Sequence, residues 1–176
     1  MMEYFTLQQD ERYTSFPILK ELHKKIDFRH INRIQPHHLP DTTLFHVQAE
    51  AEADDLDVLS TQLFLVSERL KPLIEMYEPD CLFKLIPLID MIHNKQAIYY
   101  LPIFQEIEAL SPRSEFTVDR SVIKRLVLQE DKLQGKRIFR VAESVKPLIV
   151  VRLEVAESIL RRDLVGISLK RVEVDS

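Results

Sequence analysis

The sequence predicts an α+β fold: a mixed or antiparallel sheet with short helices, built on two similar strand–helix–strand units. Two stretches carry this expectation. Gln62 to Leu88, QLFLVSERLKPLIEMYEPDCLFKLIPL, reads as a strand, an amphipathic helix and a returning strand. Pro147 to Val174, PLIVVRLEVAESILRRDLVGISLKRVEV, gives a weaker echo. A third observation narrows the field. Only two glycines occur, Gly135 and Gly166. Phosphate-cradling loops need several, so no Walker loop or dinucleotide fingerprint can be written, which counts against the common nucleotide-dependent enzymes.

In the first unit, Leu63, Phe64, Leu65 and Val66 form a continuous apolar run, the mark of a strand buried on both faces. Ser67 is positioned to cap the helix, with Glu68 and Arg69 in its first turn and Leu70, Leu73, Ile74 and Tyr77 as its buried stripe. Pro72 is tolerated near the helix start. Glu78-Pro79-Asp80 ends the helix, and Leu82 to Leu88 return as strand. In the second unit, Leu148 to Val151 is the strand and Val155, Ile159 and Leu160 stripe the helix. Arg161 and Arg162 sit near the negative end of its dipole, and Gly166 suits a left-handed residue after the helix. Setting Ile74 on Ile159 brings Val66 onto Val151, Leu70 onto Val155 and Leu82 onto Ile167. Duplication and a shared packing demand both produce such a match.

The other segments read more simply. Glu3 to Leu7 is a short strand. From Pro17, the positions Ile18, Leu19, Leu22 and Ile26 suggest a helix capped by Ser15. Gln35 to Pro40 is a loop, and Leu44 to Val47 a short strand. Ala97 to Leu110 reads as strand, with Pro102 marking an edge or a bulge, and helix competes over Phe104 to Leu110. Ile123 to Leu128 and Ile138 to Val141 form an antiparallel pair. Residues 1–60 are expected to pack on a core of 61–176 in one compact domain, a size at which burial alone sustains folding.

Composition sets further bounds. The 176 residues carry 24 basic and 28 acidic groups, a net charge of −4, which argues against nucleic-acid binding. No run approaches a membrane-spanning length, and MMEYFTLQQDERY lacks the basic start and apolar core of a secretory signal. The lone Cys81 fits a reducing compartment, so the expected location is cytoplasmic. Glu50, Glu52, Asp54, Asp55 and Asp57 place five carboxylates in eight positions. They are either a solvated loop or a patch that meets a basic partner. The C-terminal third is basic, a polarity that either guides a partner or keeps the chain soluble.

No catalytic or metal-binding residue stands out. His37 and His38 are expected to point apart in an extended loop, and none of the six histidines forms a zinc-ligand pair. Cys81 beside a strand reads as a small hydrophobe, although pairing with a distant His93 stays open. No serine stands in a nucleophile elbow, and no cofactor is expected.

The segments YFTLQQDERY, LFLVSERLKPLIE, IYYLPIFQEIEAL and RLVLQEDKLQGKRIFRV, with Ser67, Glu68, Asp131 and Phe139, resemble a bacterial domain family of unknown function. That family is grouped with predicted immunity proteins of polymorphic toxin systems, as immunity family eleven. The resemblance covers nearly the whole chain, most clearly 61–174. It departs at Arg152 and Leu153, which stand where the first unit has Ser67 and Glu68, so the second helix lacks an evident cap. The resemblance implies a non-enzymatic protein that binds and neutralises a cognate toxin, with no catalytic residues to carry over. The acidic run 50–57 is then the candidate contact, because toxins that attack nucleic acid are themselves basic. Two other classes compete: a small metal-dependent or hydrolytic enzyme using His37, His38 and His46, and a homodimer or larger assembly pairing through an exposed strand at 97–104.

Overall fold

A computed structural model describes residues 2–49 and 53–176. The first half contains β1 (Tyr4–Gln9), β2 (Ile18–Leu19), α1 (Leu22–Lys25), β3 (Phe45–Gln48), β4 (Val58–Leu59), β5 (Leu65–Ser67), α2 (Lys71–Tyr77), β6 (Leu82–Asp90) and β7 (Lys95–Ile103). The second half contains β8 (Glu106–Ile107), β9 (Glu115–Phe116), β10 (Ile123–Arg125), β11 (Val127–Gln129), β12 (Ile138–Val141), β13 (Ile149–Arg152), α3 (Leu153–Leu160) and β14 (Ile167–Asp175). They form two six-stranded sheets, ordered β2-β3-β6-β7-β5-β4 and β11-β14-β1-β13-β12-β8, beside a small β9–β10 pair. Both large sheets are mixed: β3–β6, β11–β14 and β12–β8 run parallel, and the remaining pairs antiparallel. The architecture is α+β.

The two longer helices, α2 and α3, each link two parallel strands that are not neighbours. β5 and β6 both pair antiparallel with β7, which lies between them. β13 and β14 both pair antiparallel with β1, which lies between those two. The N-terminal strand is therefore a central strand of the second sheet. The apolar run of the first unit is buried on both sides, as its pattern demanded, but only Leu65 and Val66 belong to β5, and Leu63 and Phe64 form the irregular approach to it. Phe64 and Val66 point into the core between the sheets, while Leu63 and Leu65 point to the opposite face. In β13, Ile149 and Val151 face the shared core and Val150 faces away. Leu73 and Ile74 of α2 meet Val155, Ala156 and Ile159 of α3 in that same core. Leu22, Ile26 and Leu39 cover the outer face of the first sheet.

Several local expectations are corrected. Ile18 and Leu19 form a strand against Gln48 and Val47, and only Leu22–Lys25 is helical. The reason is tertiary: the Gln62 side chain accepts from Leu19 N at 2.7 Å and donates to its carbonyl, which holds the segment extended. β11 and β12 do not pair. β11 runs beside β14, and β12 lies between β13 and β8. Strand 97–104 is no edge. β7 pairs with β6 along its whole length and with β5 at Tyr99 and Tyr100, which removes it as a pairing surface for a second copy. Pro102 lies past the residues that meet β5, so its missing N–H breaks no bond on that side. Leu160 is solvent-exposed rather than part of the α3 stripe. No α3 residue caps it with a side chain, and Leu153 N instead donates to the Glu3 carbonyl at 2.9 Å.

Gly166 is not the residue that ends α3. It immediately precedes β14 with φ +77°, and a Cβ there would lie 2.7 Å from Leu56 Cδ2. Its carbonyl accepts from Asp10 N at 2.8 Å. Gly166→Ala should therefore cost about 2–4 kcal/mol, from the backbone strain and the clash together. Gly135→Ala, at φ +68° but with its nearest neighbour at 4.0 Å, should cost only about 1 kcal/mol. Urea midpoints measured at unchanged m-value check the difference.

Candidate partner-binding groove

A groove runs along the junction of the two sheets. Its deep end encloses about 230 Å³, between Phe64, Ile103 and Phe104 of the first half and Arg140, Pro147 and Ile149 of the second. A shallower stretch of about 920 Å³ continues past Gln9, Tyr13, Ser60 and Val122, and shares Phe28, Gln62, Val145, Pro147 and Ile149 with the deep end. The walls are fixed by burial: Phe64, Ile103, Phe104 and Ile149 are almost wholly out of solvent. The rim is open, with Val145 72% exposed and Phe28 42%. Two backbone-level clasps hold the junction. Gln9 N donates to Ser60 Oγ at 2.9 Å, and Ser60 N returns a bond to Gln9 Oε1 at 3.1 Å. The Ser144 hydroxyl donates to the Lys146 carbonyl and shapes the loop bearing Val145.

The acidic run does not form one surface. Glu50 and Glu52 lie outside the described residues. Asp54 and Asp55 are exposed, and Asp55 pairs with Lys95 at 2.9 Å, at the opposite end of β7 from the groove. Asp57 corrects the expectation outright, since its side chain is 2% exposed. Its carboxylate accepts from Ser67 Oγ at 2.5 Å, Arg69 Nη2 at 2.7 Å and Val165 N at 2.6 Å. Its backbone exchanges bonds with Val165 O and Ser67 N. Ser67 accepts in turn from Leu70 N, so it does cap the turn leading into α2. A partner cannot reach Asp57 without opening this network.

Part of the basic third is paired within the chain. Arg125 pairs with Glu173, Arg152 with Glu154, Arg161 with Glu157 and Arg171 with Glu3. The histidine pair departs from expectation, whereas Cys81 is the small buried hydrophobe its context predicts. His37 and His38 do not point apart. They share a short 3-10 turn, with ring centroids 4.4 Å from each other and His30 4.8 Å from His38. His46 stands on β3, exposed. Among the described residues no three His, Cys, Asp or Glu side chains are placed to hold a metal. Cys81 lies in the shared core, and burial pushes its thiol up to about 12. His93 is at the far end of β6, a strand of nine residues and so roughly 30 Å away, which rules out a Cys–His pair.

No helix among the described residues is long and apolar enough to cross a membrane. Comparison with protein families matches the immunity protein family Imm11 over residues 4–174. The chain belongs to that family. No curated protein matches it. The Imm11 match begins at Tyr4 and ends at Val174, so it takes in both sheets and every wall of the groove. The groove could not be read from sequence, because its residues come from segments with no motif of their own. The one available signal was the run of Gln62-Leu63-Phe64, an apolar pair that begins the first unit.

Asp57→Ala should destabilise the protein by about 3 kcal/mol, because it strands the Val165 N–H and leaves Arg69 without its carboxylate. Asp55→Ala, which removes an exposed pair, should cost under about 1 kcal/mol. Denaturant unfolding of both variants checks the contrast. Cys81 should resist a thiol-labelling disulfide reagent at mildly alkaline pH in the native protein and react at once in denaturant. Rapid native labelling would show that the core opens far more readily than its packing implies.

Proposed function

We propose that this Imm11 protein neutralises a cognate protein toxin by binding it, without catalysis, in the bacterial cytoplasm, and that the groove is the docking face. The observation that carries this reading is the concave, mainly apolar surface left open where the sheets meet. Rigid buried walls and an exposed apolar rim are what a specific interface uses to seat a few anchoring side chains. An interface of standard size covers roughly 800 Å² on each partner, so the toxin would also cover the surface flanking the groove.

The same reading treats the stretches 62–88 and 147–174 as one plan used twice. Setting Ile74 on Ile159 also places Gln62 on Pro147 and Phe64 on Ile149. All four line the groove, so it falls where the two units begin.

The exposed end of the acidic run is the second reading for the contact. Asp54 and Asp55 present adjacent exposed carboxylates, with Glu50 and Glu52 next to them in sequence, close to the open hairpin tip of Met91 and Ile92. The two faces are separable by experiment. Affinity for the toxin domain encoded beside this chain should fall about 30-fold or more in Val145→Glu, the loss of one anchor worth about 2 kcal/mol. Reversing Glu50, Glu52, Asp54 and Asp55 to Lys should mainly slow association and flatten its salt dependence. Unchanged affinity in Val145→Glu, with binding abolished by the reversals, would move the docking face to the acidic run.

A further inference from the structure

We propose that the deep end of the groove recognises an aromatic side chain carried next to a carboxylate on the partner toxin, an inference that rests on the groove being the docking face. Its floor is the Phe64–Phe104 pair, edge to face with ring centroids 6.1 Å apart and an interplanar angle of 66°. A third ring extends such an arrangement favourably, and Ile103 and Ile149 close the sides. Two arginines line this space, and Arg140 is the more buried of them. The Arg140 side chain is only 19% exposed, yet its guanidinium makes a single long bond, 3.5 Å to the Ile31 carbonyl. Glu106 forms an ion pair with it at 3.8 Å, too long for a hydrogen bond. A guanidinium offers five donors, so most of its capacity is unspent among the described residues. Arg29 adds positive charge at the mouth, though Asp27 already holds it at 2.7 Å. Among the described residues lining the deep end there is no carboxylate. A half-dry pocket whose lining holds a donor fork with unspent N–H groups and no carboxylate suits an anion attached to an apolar group, one that makes the hydrogen bonds Glu106 does not.

The occupant is a protein segment rather than a free acid because the pocket does not close. It runs into the shallower stretch through shared residues Phe28, Gln62 and Val145, along which a chain can continue. A small aromatic acid would leave that stretch uncovered.

The test titrates the full chain with N-acetyl-Asp-Phe-amide, N-acetyl-Lys-Phe-amide, N-acetyl-Asp-Ala-amide and phenylacetate, followed by amide chemical shifts. The Asp-Phe peptide should shift Phe64, Phe104, Arg140 and Ile149, and bind about tenfold more tightly than the Lys-Phe and Asp-Ala peptides. Arg140→Met should erase the preference for Asp over Lys, and Arg140→Lys should keep part of it. Equal binding of the Asp-Phe and Lys-Phe peptides, or shifts confined to other residues, overturns the assignment. Phenylacetate binding more tightly than the peptide gives the pocket to a free acid and overturns it too. Toxin affinity then separates the two levels. If Arg140→Met binds toxin like wild type while Val145→Glu does not, this inference fails and the docking face stands. If neither variant weakens toxin binding, the docking face itself fails.

Discussion

The Asp57 carboxylate is the interaction on which the arrangement of the two sheets depends. It stands at the start of β4, at the edge of the first sheet, and accepts from Val165 N on the approach to β14 in the second. Its own N–H donates to the Val165 carbonyl at 2.8 Å. The side chain thus completes a backbone pairing that bridges 108 residues of sequence. Burying a carboxylate is costly unless its oxygens are satisfied, and here Ser67 and Arg69 join Val165 in doing so. Arg69 also donates to the Asp163 carbonyl at 2.8 Å, which draws the turn before β14 onto α2. The close approach of Leu56 to Gly166 lies in the same region, so this corner tolerates no side chain at position 166.

With that corner fixed, the remaining junction follows. Gln9 and Ser60 clasp the ends of β1 and β4, and α2 and α3 fill the space between the sheets with Leu73, Ile74, Val155 and Ile159. Glu78 accepts from the backbone of Arg137 and Ile138 on the far side of α2. What the junction does not fill becomes the groove. Its walls are core residues of both halves, so its shape is tied to the stability of the whole rather than to a loop. That coupling would suit the docking role proposed for the groove, because rigid walls lose little entropy on binding.

Much of the fold was legible in sequence for a plain reason. Leu63 to Val66 announces a segment buried on both faces, and the spacing of Leu70, Leu73, Ile74 and Tyr77 announces an amphipathic helix. Burial agrees with the pattern along the whole apolar run, but only Leu65 and Val66 join the strand, because β5 finds its partners β4 and β7 only from Leu65 onward. Local pattern and tertiary placement part company at Ile18 and Leu19, whose helical spacing is overridden by the Gln62 side chain and by β3. They part again at Asp57, which reads as one more surface carboxylate because its partners are distant in sequence. The histidine turn is a subtler case: Pro36 starts a 3-10 turn that brings the His37 and His38 rings together.

By itself the sequence determined the α+β class, the two strand–helix–strand stretches, the buried Cys81 and the family resemblance, because each rests on local periodicity or on segments read in order. Tertiary structure alone decided that β1 divides β13 from β14, that β7 divides β5 from β6, and where the groove opens. Strand neighbours are chosen by long-range hydrogen bonding and shared burial, and neither leaves a mark on the spacing of residues along one chain.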